Sequence, residues 1–168
     1  MIGPTFPAGL TVGFEYASAP ASRLIEYVES GAGPSHVTTL VAPGEVIDAR
    51  FRGGVARRPV SYFGSTPVVW YRLAGTTEAV KASLALLEAQ IGEPYDWQDI
   101  LAFAVPTAFR ALTGARHPWM CSYLASAAQV AGGFLHKPPV GLERINPFEL
   151  WCLDWGAGAI ELPGPVFD

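Results

Sequence analysis

Charge is scarce in this chain: 15% of its 168 residues are Asp, Glu, Lys or Arg, against about a quarter in ordinary soluble domains. The balance is mildly acidic, 11 basic against 15 acidic residues for a net charge of −4, and no basic cluster exceeds Ala56-Arg57-Arg58. Binding to a phosphate backbone needs a basic stripe, so a nucleic-acid partner is excluded from the expectation. Cysteine is scarcer still. Cys121 and Cys152 are too few for a disulfide scaffold, and free thiols in a reducing compartment are the default reading. No apolar run approaches the ~18 residues of a membrane span. The start, Met1-Ile2-Gly3-Pro4-Thr5-Phe6-Pro7, lacks the basic and apolar regions of a secretory signal. The expectation is a soluble chain, cytoplasmic by default, with no integral membrane segment. Cys-x-x-Cys, His-x-His and His-Glu-x-x-His spacings are all missing, and neither Gly53-Gly54 nor Gly132-Gly133 carries the pattern of a phosphate loop. No metal and no cofactor is implied.

What is present is apolar and rich in turns. Half of the residues are hydrophobic, and Gly (18) and Pro (15) together make about a fifth of the chain, against a usual ~12%. That composition excludes disorder and favours one loop-rich domain over 1–168, with a β-rich front and a helix-rich back. Alternating residues predict a strand over 10–16, a 3.6-residue period predicts a short helix over 21–30 ended by Gly31, and 68–73 is a further strand candidate. Two β-rich runs, 35–41 and 45–51, flank Ala42-Pro43-Gly44 and read as a hairpin. Thr76 or Thr77 caps a helix whose stripe is Val80, Leu84, Leu87 and Ile91, stopped by Gly92 and Pro94. Further helices are predicted over 97–104, resuming over 107–112 after Pro106, then over 121–131, and from Asn146-Pro147 to about 153. A final edge strand is expected over 159–162.

Cys121 draws attention because Pro118-Trp119-Met120 places it in the first turn of a helix. A thiol there faces the positive end of the helix dipole and free backbone N–H groups. Both favour the nucleophilic thiolate, and the same N–H groups stabilise an oxyanion. The plainer reading, a buried small apolar residue, suits Cys152 within Phe148-Glu149-Leu150-Trp151-Cys152-Leu153 better. A nucleophilic cysteine needs a base, and the chain has His36, His117 and His136. His36 opens a strand, and Asp48 follows twelve residues later on the hairpin partner, where a carboxylate can hold the imidazole tautomer. Because that spacing is even, the two share a face only if the turn has an odd residue count or a bulge. His117 sits in an extended stretch before Pro118, and His136 beside Lys137-Pro138-Pro139 reads as a surface residue. Asp96 and Asp99 could suggest paired carboxylates, but Asp96 is better explained as a helix cap at a solvated end.

The joint order of these pieces resembles the papain-like NlpC-type cysteine hydrolases, in the circularly permuted branch that includes YiiX-like bacterial proteins and lecithin retinol acyltransferase. Ser35-His36-Val37 and its hairpin come first, and Trp119-Met120-Cys121-Ser122-Tyr123-Leu124 follows some eighty residues later. The stretch from His36 to Val46-Ile47-Asp48-Ala49 is similar to the family's histidine strand and the strand carrying its third polar residue. Gly92-Glu93-Pro94-Tyr95-Asp96 looks like the element that precedes the cysteine helix, and Gly53-Gly54-Val55 like the loop after the polar residue. Met120 stands where many unpermuted cell-wall hydrolases have an acidic residue. The resemblance, over about residues 8–135, implies an α+β fold, an antiparallel sheet or partial barrel against a helical layer, circularly permuted. It implies Cys121 as nucleophile, His36 as base and Asp48 as orienting partner, with Tyr95 and Ser122 as substrate-binding or oxyanion contacts. The expected activity is that of an amidase or peptidase working through a thioester. Lipid acyl hydrolysis or transfer on the same triad is the alternative, with the apolar stretch 97–112 as one wall of a cleft. A binding or structural module retaining the fold is a third reading. The substrate is accordingly a peptide, an amide or an acyl lipid.

Overall fold

The computed structural model describes residues 8–16, 33–95, 119–136 and 145–165. The helices expected over 21–30, 97–104 and 107–112 lie outside those residues, as do Asp96, Asp99 and His117. Among the described residues the chain is α+β: six strands form one antiparallel sheet with three α-helices. The strands are β1 (Gly9–Glu15), β2 (His36–Ala42), β3 (Glu45–Arg50), β4 (Gly54–Pro59), β5 (Val68–Ala74) and β6 (Ile160–Leu162). The helices are α1 (Thr77–Ala89), α2 (Cys121–Ala131) and α3 (Pro147–Gly156), and a single 3-10 turn covers Val60–Phe63. The sheet order is β4-β3-β2-β1-β5-β6, so the short β6 closes one edge, as the pattern over 159–162 suggests.

Strand β4 was not expected. Gly53-Gly54 and Pro59 punctuate the segment, and the resemblance reads Gly53-Gly54-Val55 as a loop. Instead β4 pairs with β3 from Glu45↔Pro59 to Arg50↔Gly54. Proline is tolerated at the end of this edge strand because no ladder bond is asked of its nitrogen. The β2–β3 hairpin closes through Pro43-Gly44, with Gly44 in the left-handed region at φ 74°.

One sheet face carries Leu10, Val12, Phe14, Val37, Tyr71 and Leu73, which pack with Ala125 of α2 and Leu150 of α3. Ile47, Ala49 and Val55 continue it against Leu87 of α1 and Leu124 and Ala128 of α2. On the opposite face Leu40, Val46, Trp70 and Leu162 gather around Phe63 of the 3-10 turn. Each large side chain buried in this way contributes on the order of 1.5–3 kcal/mol. The helices are built as their ends suggest. Thr76 Oγ1 accepts from the Ala79 N–H at 3.1 Å to cap α1, and Asn146 and Glu149 form a reciprocal capping box on α3. Helix α1 stops at Ala89, before Ile91, which is 43% exposed rather than part of a buried stripe. Helix α3 runs to Gly156, past the expected end. Its buried positions are Pro147, Leu150 and Asp154, and this phase leaves Cys152 exposed, correcting the expectation that Cys152 is the buried cysteine.

Candidate active site

His36 is the first residue of β2 and Asp48 the fourth of β3. In a regular hairpin closed by Ala42↔Glu45, residues of equal parity would face opposite ways. The register shifts between Leu40 and Ala42, after which Leu40 pairs with Val46 and Thr39 with Ile47. The extra residue, Val41, is a β-bulge, and it turns the even-numbered residues of both strands to one face. His36 Nε2 and Asp48 Oδ2 then meet at 2.8 Å. The bulge that the even spacing requires is therefore present.

Cys121 begins α2, and Met120 before it is extended and supplies no side-chain cap, which leaves the first-turn N–H groups to whatever anion forms beside them. The small residues Ser122, Ala125, Ser126 and Ala128 let α2 lie close on β2 and β3. The Gly92-Glu93-Pro94-Tyr95 segment ties the helix entrance to the sheet. Val55 N–H donates to Glu93 O at 2.9 Å, Gly92 N–H to Val55 O at 2.9 Å, and Trp119 N–H to Pro94 O at 3.4 Å. Tyr95 and Trp119 form a short parallel bridge two residues before the sulfur. Gly54, at φ 58°, permits this approach, since a Cβ there would stand 2.2 Å from Glu93 O.

The thiol hydrogen-bonds with the His36 side chain and receives the Val37 backbone N–H. With Nε2 taken by Asp48, Nδ1 is the ring nitrogen left for sulfur. Cys121 is 5% exposed and the His36 side chain 12%, so charge in the pair is poorly screened by water. Burial acts to raise the Cys121 thiol, but the His36 charge, its hydrogen bond and the Val37 N–H outweigh burial and hold it below the ordinary thiol range. Burial acts to lower His36, yet the Cys121 thiolate, then the Asp48 hydrogen bond, push it up to about 9. Burial raises Asp48, and the hydrogen bond and charge of His36, with the charges of Arg50 and Arg58, hold it below the usual carboxylate range. Both shifts favour the thiolate and imidazolium forms of the pair.

The remaining expected contacts divide. Tyr95 is half-buried beside Trp119, whose ring stacks on Tyr123 at 4.7 Å between centroids. Ser122 is buried with its hydroxyl donating to Ile145 O at 2.6 Å, so its side chain anchors the segment before α3 and only its backbone faces the helix entrance. His136 is exposed after α2 and is not joined to the triad. Sequence reasoning missed Arg50, Arg58 and Glu15. Arg50 Nε donates to Asp48 Oδ2 at 2.7 Å, Arg58 Nη1 donates to Asp48 Oδ1, and Arg50 Nη2 reaches Glu15 Oε2 at 2.5 Å. The available signal was the period of two that places Asp48 and Arg50 on one face. No group of His, Cys, Asp and Glu among the described residues has the arrangement of a metal site. No helix of the described residues is long and apolar enough to cross a membrane. The chain matches no family model and no curated protein.

Proposed function

We propose that the protein is a cysteine hydrolase, an amidase or peptidase with a Cys121-His36-Asp48 triad in a circularly permuted papain-like NlpC-type fold. The observation that carries this reading is the continuous chain of hydrogen bonds from sulfur to imidazole to carboxylate, with the sulfur at an uncapped helix N-terminus. The order of elements supports the permuted arrangement: the hairpin with His36 and Asp48 precedes the helix with Cys121.

The Cys121 thiolate attacks the carbonyl carbon of an amide, and the carbonyl electrons move to oxygen, which the N–H groups at the head of α2 stabilise. As the tetrahedral adduct collapses, the C–N bond breaks and the His36 imidazolium gives its proton to the departing nitrogen. A thioester and a neutral imidazole remain. Water then yields a proton to His36 while its oxygen bonds to the thioester carbon. The C–S electrons return to sulfur, the acid leaves, and the thiolate-imidazolium pair is restored.

The test is alkylation by iodoacetamide at neutral pH, with the modified cysteine located by mass spectrometry. Under brief exposure to limiting reagent the label is expected on Cys121 and retained in Cys152→Ala, while Cys121→Ala leaves only slow reaction of the exposed Cys152; the reverse pattern refutes the assignment. Intact mass after mixing with a peptide ester, a phospholipid or an acyl thioester then identifies the acyl donor, and a stable adduct from the lipid alone would favour the lipid acyl hydrolase or transferase alternative.

A further inference from the structure

Asp48 is engaged from both sides by positive charge. Its Oδ2 accepts from His36 Nε2 at 2.8 Å and from Arg50 Nε at 2.7 Å, and its Oδ1 accepts from Arg58 Nη1. Arg58 is fixed by further bonds to the carbonyls of Asp48 at 3.2 Å, Ala56 at 3.1 Å and Gly54 at 3.3 Å. Arg50 continues to Glu15. The Tyr62 ring centroid lies 5.1 Å from the Arg50 guanidinium carbon and 5.8 Å from that of Arg58, and the Phe63 ring 5.4 Å from Arg50. Aromatic faces at that distance hold guanidinium groups in place. The charged groups facing His36 are thus Glu15 of β1, Asp48 and Arg50 of β3, Arg58 of β4 and Cys121 of α2. The first four cancel.

That cancellation matters at one step. An unopposed carboxylate beside an imidazole favours its charged form by about one to three pKa units. In the resting site the thiolate is the leading influence holding the proton on His36. Once the sulfur is acylated, its charge is gone, and His36 must be neutral to take a proton from water. Whether it is neutral then depends on how much free charge Asp48 carries. Resting on the hydrolase reading above, we propose that Arg50 and Arg58 are positioning residues that neutralise Asp48, so that it orients the His36 ring in the acyl-enzyme without fixing a proton on it. Two arginines that served only to close the sheet face would give stability and leave the imidazole's protonation unchanged.

The experiment removes the thiolate and reads the imidazole. In the full chain carrying Cys121→Ala, the ring nitrogen shifts of His36 are followed by NMR against pH, alone and combined with Arg58→Gln, Arg58→Lys or Arg50→Gln. Arg58→Gln should raise the His36 midpoint by about one unit, and Arg58→Lys, which retains the charge, should return it towards the parent. Arg50→Gln bares the other oxygen and leaves Glu15 unpaired, so its rise should be at least as large. It also provides the reading if Arg58→Gln does not fold. Unmoved midpoints overturn the proposal, and so does failure of both glutamine variants to fold, which would assign the arginines to the fold alone. Because the titration needs no turnover, it separates from the labelling test. A chain that labels at Cys121 but shows no shift loses only this inference, whereas one that does not label loses the hydrolase reading.

Discussion

The chemistry of Cys121 is set by one neighbour. An ordinary thiol, with a pKa near 8.5, is roughly 0.3% thiolate at pH 6, whereas a thiolate paired with an imidazolium is already the main form there. His36→Ala removes both the charge and the hydrogen bond that offset burial of the sulfur. Alkylation of Cys121 at pH 6 should therefore fall by roughly two orders of magnitude in His36→Ala and recover as the pH is raised past 8.5. Rates measured from pH 5 to 10 check this, and a variant that labels like the parent at pH 6 would remove His36 from the site. This pair was legible in the sequence because a helix start and a strand start leave local marks. Arg50 left only the period of two that puts it on the face of Asp48, and Arg58 left no mark at all, since it is held by a carboxylate on the neighbouring strand and by backbone carbonyls. An ion pair of that kind is written nowhere near either residue.

At the scale of elements, the bulge at Val41 decides whether the hairpin holds a dyad. With the native even spacing the bulge is what brings His36 and Asp48 to one face, and deleting Val41 makes the spacing odd, so that a regular register keeps them there. The deletion is expected to retain labelling of Cys121 at pH 6, and its loss would show that the bulge does more than set the parity. Val41→Ala, which keeps the residue count, should retain labelling with a modest loss of thermal stability, measurable by circular dichroism. The hairpin, α1, α2 and the start of α3 were readable from caps and turn residues. The phase of α3 was not. With Phe148, Leu150, Trp151, Leu153 and Trp155 spread round the helix, its pattern names no inward side. Packing turned Asp154 in and left Trp155 exposed, opposite to what polarity alone suggests.

For the whole molecule, that inward carboxyl couples stability to pH. Asp154 lies where α3 meets α2, accepting from Gln129 Nε2 at 3.2 Å. Its Oδ1 and Gln129 Oε1 have no partner among the described residues. Burial pushes the carboxyl up to about 7, against the Gln129 bond that favours its charged form. A carboxyl raised in the folded state binds a proton there that the unfolded chain releases. Its contribution is therefore full below about 4 and is lost as the pH rises towards 7. Asp154→Asn should remove this fall: melting temperatures of variant and parent, compared from pH 4 to 8, should diverge in the variant's favour as the pH rises. Parallel curves would show that the carboxyl is not protonated in the native state.

His36 and Asp48 share one hairpin, and the Cys121 sulfur owes its acidity to that imidazole some eighty residues earlier. On the ribosome His36 and Asp48 emerge well before Cys121, and the thiol gains that acidity only when α2 has docked on the finished hairpin. Brief exposure to an alkylating agent in weak acid would thus count native copies in a mixed sample, leaving nascent and misassembled chains unmarked.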